Sequence, residues 1–77
     1  MFVAIDLKTH TVVLNLDHVV EINCNVTDNT LVFYPDNQSS TWNYTFVDGN
    51  ALTDAYNCIM DGLYNDTKLI MIKDGLL

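Results

Sequence analysis

The sequence predicts an α+β fold: an antiparallel meander of five or six strands with one α-helix packed on its apolar face. Three observations carry this reading. Apolar and polar residues alternate through short runs in the first 47 residues. Side chains on a strand point alternately to opposite faces, so each run makes one apolar face. From residue 51 to 64 the period changes to helical spacing, with Leu52, Ala55, Tyr56, Ile59, Met60 and Leu63 forming a stripe. Turn residues separate the strand runs by short links, which favours antiparallel pairing of neighbours.

Taken in order, residues 2–7 make a first strand with Val3, Ile5 and Leu7 on one side. Lys8, Thr9 and His10 connect it to a second over 11–16, where Val12, Leu14 and Leu16 share one parity. Asn15 and Asp17 suit a turn, because their side chains bond nearby backbone groups. Residues 19–26 form the third strand, with Val20, Ile22, Cys24 and Val26 expected inward and Val19, Glu21 and Asn23 outward. A polar turn over 27–30 leads to a strand over 31–34, which Pro35 ends by removing a ladder donor. Residues 36–40 form a polar loop. The fifth strand covers 41–47, with Trp42, Tyr44 and Phe46 facing the helix. Asp48 or Asn50 then caps a helix over 50–64. Gly62 weakens its last turn, since glycine is a poor helix former. Residues 67–73 hold a β-type run, Leu69-Ile70-Met71-Ile72. It is either a sixth strand, beside the first or at another edge, or a contact for a second copy.

The chain is expected to be a single domain: sheet over 2–47, helix over 50–64 and C-terminal strand over 67–73. At 49% hydrophobic residues it carries enough apolar mass for a core. No apolar run approaches the roughly 20 residues of a membrane span, and no charged-then-apolar leader follows Met1. A cytosolic protein is the expectation, with Cys24 and Cys58 reduced. The Asn25, Asn37, Asn43 and Asn65 sequons then carry no consequence.

Ten acids face three lysines, there is no arginine, and the net charge is −7. Nucleic-acid binders displace phosphate counterions with cations, so direct nucleic-acid contact is not expected. Attachment to an anionic membrane is not expected either. A surface of this sign suits a basic partner protein, and the plainer role of the acidity is solubility.

No cofactor, metal or catalytic pattern emerges. His10, His18, Cys24 and Cys58 lack the paired spacing of structural zinc ligands. His18 with Asp17 and Glu21 is the one loose polar constellation, and it lacks a nucleophile. Trp42, Tyr44 and Phe46 could stack bases, but no cation accompanies them. A nucleotide-binding role would want positive charge or helix N-termini at the ligand.

The expected function is therefore a non-enzymatic module that binds a protein through acidic residues. Small inhibitors encoded by phages or mobile elements, anti-CRISPR proteins and DNA mimics among them, share this size and charge. The comparison is one of composition, not of sequence. The residues expected to meet the partner are Asp28 and Asp48 in loops, Asp54 and Asp61 on the helix exterior, and Tyr64. The alternative is a homodimer or assembly protein joined through Leu69, Met71, Leu76 and Leu77.

Overall fold

The computed structural model describes residues 1–36 and 40–77. The strands are β1 (Phe2–Asp6), β2 (Thr11–Asn15), β3 (Val19–Asn25), β4 (Thr30–Pro35), β5 (Trp42–Thr45) and β6 (Leu69–Ile72), with one helix, α1 (Gly49–Tyr64), between β5 and β6. The fold is α+β, and the elements fall close to the expected positions. Residues 37–39 of the expected polar loop, with the Asn37 sequon, lie outside the described residues.

The expected single antiparallel meander is corrected. The strands form two three-stranded sheets, ordered β2-β1-β6 and β3-β4-β5. The break lies between β2 and β3. There a 3-10 turn over Leu16–His18 begins at Asn15, whose side chain accepts from the Asp17 N–H at 3.0 Å. Leu16 is buried in that turn. Burying it directs the chain round a corner into the second sheet rather than back along β2. The local chemistry is that of a turn, as Asn15 and Asp17 imply, but the turn changes sheets instead of closing a hairpin.

β6 takes its place beside β1, and the pair is parallel, so the first sheet is mixed. A helix between strands returns the chain to the end from which β1 starts: the Phe2 N–H donates to the Lys68 carbonyl at 2.8 Å. The register sets Val3 beside Ile70 and Ile5 beside Ile72, and all four are buried. The chain then crosses to the second sheet. Gly75, at φ +91°, makes the bend. The Val47 N–H donates to the Gly75 carbonyl at 2.8 Å, and the Leu77 N–H to the Thr45 carbonyl at 2.9 Å. Leu76 thus bridges to Phe46 and ties the sheets together.

α1 lies between the sheets, against β6 on one side and β3 and β4 on the other. Asp48, rather than Asn50, is the N-cap: its Oδ1 accepts from the Ala51 N–H at 2.8 Å. Such a cap contributes about 1 kcal/mol. Val3, Ile5, Leu31, Phe33, Phe46, Leu52 and Ile59 are fully buried. Each large apolar side chain so buried is worth about 1.5–3 kcal/mol. Among the described residues no polar or charged side chain is buried. Polar chemistry is therefore confined to the surface.

The expected facing of five residues is corrected. Val20 and Val26 point to solvent, at 71% and 74% exposure, whereas Val19 packs against the core. The ladder explains the first exchange. Val19 pairs with Pro35 and Glu21 with Tyr34, so Val20 is the extra residue of a bulge. One extra residue flips the facing of what precedes it. Val26 lies beyond the last paired residue of β3, in the turn. In α1, the residues that reach the core are Leu52, Ala55, Ile59 and Gly62, with Tyr56 half-buried beside them. Met60 and Leu63 are more than 40% exposed. Gly62 is thus a contact rather than a weak point. A Cβ there would stand 2.3 Å from Ile70 Cδ1, so only glycine lets α1 approach β6 this closely.

Candidate functional site

The five residues expected to meet a partner are all exposed. They form no single cluster. Asp28 stands in the β3–β4 turn, where its Oδ2 accepts from Asn25 Nδ2 at 3.2 Å. That turn lies against the start of α1: the Phe46 N–H donates to the Asn29 carbonyl at 2.8 Å, and Asn29 Oδ1 is 3.8 Å from where a Cβ would sit on Gly49. Asp28 and the capping Asp48 are thereby brought to one end of the helix. Asp54 follows in the second turn of α1. Asp61 and Tyr64 stand at the far end, with Asp48 and Asp61 separated by 13 steps along the chain, roughly 20 Å at 1.5 Å per residue. Tyr64 is 89% exposed. Asp54 and Asp61 thus share one face of the helix, while Asp48 stands roughly 120° round from them, at the end near Asp28.

The four residues expected in self-association divide. Leu69 and Met71 project from the outer face of the first sheet. Register sets Phe2 beside Leu69, and Ala4 between Val13 and Met71. Phe2, Val13, Leu69 and Met71, each 44–60% exposed, make one apolar face. Leu76 is half-buried against the core in its bridge to Phe46, and Leu77 is exposed.

The polar groups weighed as reactive sites have structural surroundings. His18 Nδ1 lies 3.5 Å from Asp36 Oδ2, and the Asp36 N–H donates to the His18 carbonyl. Its partner is therefore a residue near the end of β4, not Asp17 or Glu21. Cys24 is half-buried against the core, and the Cys58 S–H points to the Met71 carbonyl at 3.9 Å. Among the described residues no group of three or more His, Cys, Asp or Glu side chains is placed to hold a metal ion. Trp42 and Tyr44 are half-buried against the core, and Phe33 meets Tyr44 edge to face at 6.0 Å. Burial lifts the Tyr44 hydroxyl above its ordinary pKa. No helix among the described residues is long and apolar enough to cross a membrane.

Two grooves flank α1 along its length, and a third, bordered by Cys58, Asp61 and Asn65, lies where its last turns meet β6. One, of about 260 Å³, runs between the helix and β6 and is bordered by Asp54, Cys58, Lys73 and Asp74. The other, of about 290 Å³, runs between the helix and β3. Leu16, Val19, Ile22, Tyr56, Met60 and Leu63 supply its apolar lining. Both fall just below the roughly 300 Å³ at which small-molecule pockets begin, and both are open to solvent.

Comparison with known proteins yields no family model, curated protein or solved structure similar to this chain. The site must be read from its own residues.

Sequence reasoning missed two features of that surface. The first is charge segregation. Residues 9–67 hold eight of the ten acids and neither Lys nor Arg. Lys8 lies just after β1, and Lys68 and Lys73 bracket β6, so every lysine belongs to the mixed sheet. The signal was present as a lysine-free run, but it gains meaning only when β1 and β6 prove to be neighbours. The second is the groove on β3. Tyr56, Met60 and Leu63 look like part of one stripe with Leu52, Ala55 and Ile59. At about 100° per residue they form a second stripe roughly 90° round the helix.

Proposed function

We propose that this protein is a non-enzymatic binding module that occupies a basic surface of another protein, one that otherwise meets phosphates. The observation that supports it is the charge segregation. The helix and the β3-β4-β5 sheet carry acids without a compensating lysine or arginine, and among the described residues no lysine is in an ion pair. An unbalanced field of this kind steers oppositely charged partners and repels nucleic acid. The acids act by charge, and an inhibitor of a nucleic-acid-binding protein, of the phage or mobile-element type, is the reading that follows.

The test is capture from the native cell followed by salt. Raising salt from about 0.1 M to about 1 M shortens the screening length from about 10 Å to about 3 Å. The captured complex should weaken steeply across that range, and the captured protein should regain nucleic-acid binding as it is released. The paired substitution Asp54→Asn and Asp61→Asn should weaken the complex at low salt without unfolding the chain, since neither side chain makes a hydrogen bond among the described residues. Asp48 is the wrong residue for this purpose because it caps the helix. A complex indifferent to both changes sinks the proposal.

The apolar outer face of the mixed sheet favours a second reading, self-association through Leu69 and Met71. Met71→Lys would place a charge at its centre, since Met71 neighbours Ala4 in the register. On this reading the wild-type chain sediments above its monomer mass of 8.7 kDa and the variant does not. A monomeric wild-type chain at micromolar concentration excludes the reading.

A further inference from the structure

We infer that the groove between α1 and β3 takes an extended, basic segment of the partner, which adds as a fourth strand to the edge of the β3-β4-β5 sheet. This rests on the reading that the partner is basic and specifies how it is held.

The groove borders a strand edge rather than a sheet face. Its lining includes Val19, Val20, Glu21 and Ile22, four consecutive residues. The bulge at Val20 brings residues of both parities to the groove, and the regular strand edge continues from Glu21. β3 pairs with β4 alone, so alternate backbone N–H and C=O groups over residues 21–25 point away from the sheet. Among the described residues they have no other backbone partner. An unpaired edge is a template for an added strand.

Natural edges are commonly blunted with lysine, proline or a bulge. Here the bulge at Val20 disturbs only the start of β3, and the regular part carries no lysine or proline. Beside the edge stand the exposed apolar surfaces of Met60 and Leu63, with Tyr56 at the groove's floor. Every second side chain of an added strand would meet that lining. An extended backbone supplies the hydrogen bonds, and alternate apolar side chains supply the fit.

Charge decides who the occupant is. Glu21 is the one charged residue on the groove's lining, no Lys or Arg borders it, and Asp17 beside it meets the N-terminal ammonium at 3.5 Å. His18, the one group there able to gain positive charge, already faces Asp36. Pairing two copies edge to edge would oppose two faces of the same sign. A segment alternating apolar and basic residues matches both the lining and the field.

The probe is an acetylated peptide of alternating valine and lysine, about ten residues long, the upper length of ordinary strands. A lysine homopolymer of equal length is the control. Addition of the alternating peptide at low salt should slow amide hydrogen exchange at alternate positions over residues 21–25 at least tenfold. Met60→Lys should weaken binding at least tenfold, and Val13→Lys, on the other sheet, should leave it unchanged. Both replaced side chains are exposed, and the exchange measurement on the wild-type chain needs neither variant. If the homopolymer binds as well and β3 stays unprotected, the edge proposal fails while the basic-partner reading stands. If neither peptide binds at low salt, both fail. If the free chain dimerises and Val20→Lys abolishes the dimer, the occupant is a second copy and the proposal is overturned.

Discussion

Gly62→Val is expected to cost about 3 kcal/mol of stability, the upper part of the range for overpacked cores. Glycine in the last turn of a helix would ordinarily be improved by a residue with a side chain, by up to about 1 kcal/mol for alanine. Here that gain is overridden. Even the Cβ of an alanine would lie 2.3 Å from Ile70 Cδ1 and 2.5 Å from Ile70 Cγ1. Ile70 is 4% exposed and sits beside Val3 in the register, so it cannot swing into solvent without abandoning the core. Urea denaturation should show the midpoint falling, with Gly62→Ala losing less than Gly62→Val.

A second substitution separates overpacking from a general helix defect. Ile70→Ala alone should cost about 2–5 kcal/mol, as buried truncations do. Combined with Gly62→Ala it removes the two clashing atoms, and the new methyl fills part of the space. The double variant should therefore be more stable than the sum of the single losses implies by more than about 1 kcal/mol. Strict additivity would show that Gly62 and Ile70 do not meet.

Removing residues 74–77 is expected to destabilise the fold by about 3 kcal/mol. Two backbone hydrogen bonds, to Val47 and Thr45, are lost with Gly75 and Leu77, each worth about 1 kcal/mol net. The half-buried Leu76 adds about 1 kcal/mol of apolar burial. Phe46, 1% exposed in the intact chain, loses its cross-strand neighbour. For a domain whose whole stability is roughly 5–15 kcal/mol this is a large share. Thermal melting of the truncated chain checks it, and an unchanged midpoint would show that the tail is not part of the fold. The deletion is accordingly a poor probe of self-association, because it damages the monomer. Met71→Lys, on an exposed position, separates the two questions.

Much of the candidate surface was legible as residue types and little of it as a place. Asp28, Asp48, Asp54, Asp61 and Tyr64 are exposed for the reasons turns and polar helix faces are exposed. The meeting of Asp28 and Asp48 at one end of the helix depends on Asn29 reaching the start of α1, a contact between segments about 20 residues apart in the chain. The groove was illegible because a helical stripe says only that a side is apolar. It does not say how many neighbours share that side. α1 divides its apolar arc between the core and the edge of β3, and leaves Met60 and Leu63 open.

What the sequence by itself determined is local. Alternation over residues 2–47 specifies strands, because period two is the signature of a half-buried strand. The 3.6-residue period from Leu52 specifies the helix, and the sequence offers Asp48 or Asn50 to begin it; the structure chooses Asp48, whose carboxylate satisfies the free N–H of Ala51. Tertiary structure alone decided how these pieces were shared between sheets. Burial of Leu16 turned the corner after β2, the bulge at Val20 reset the facing of Val19, and Gly62 admitted Ile70 against the helix. The physical reason is common to all three. Each depends on the shape of a neighbour distant in the chain, and period and propensity report only on residues a few positions away.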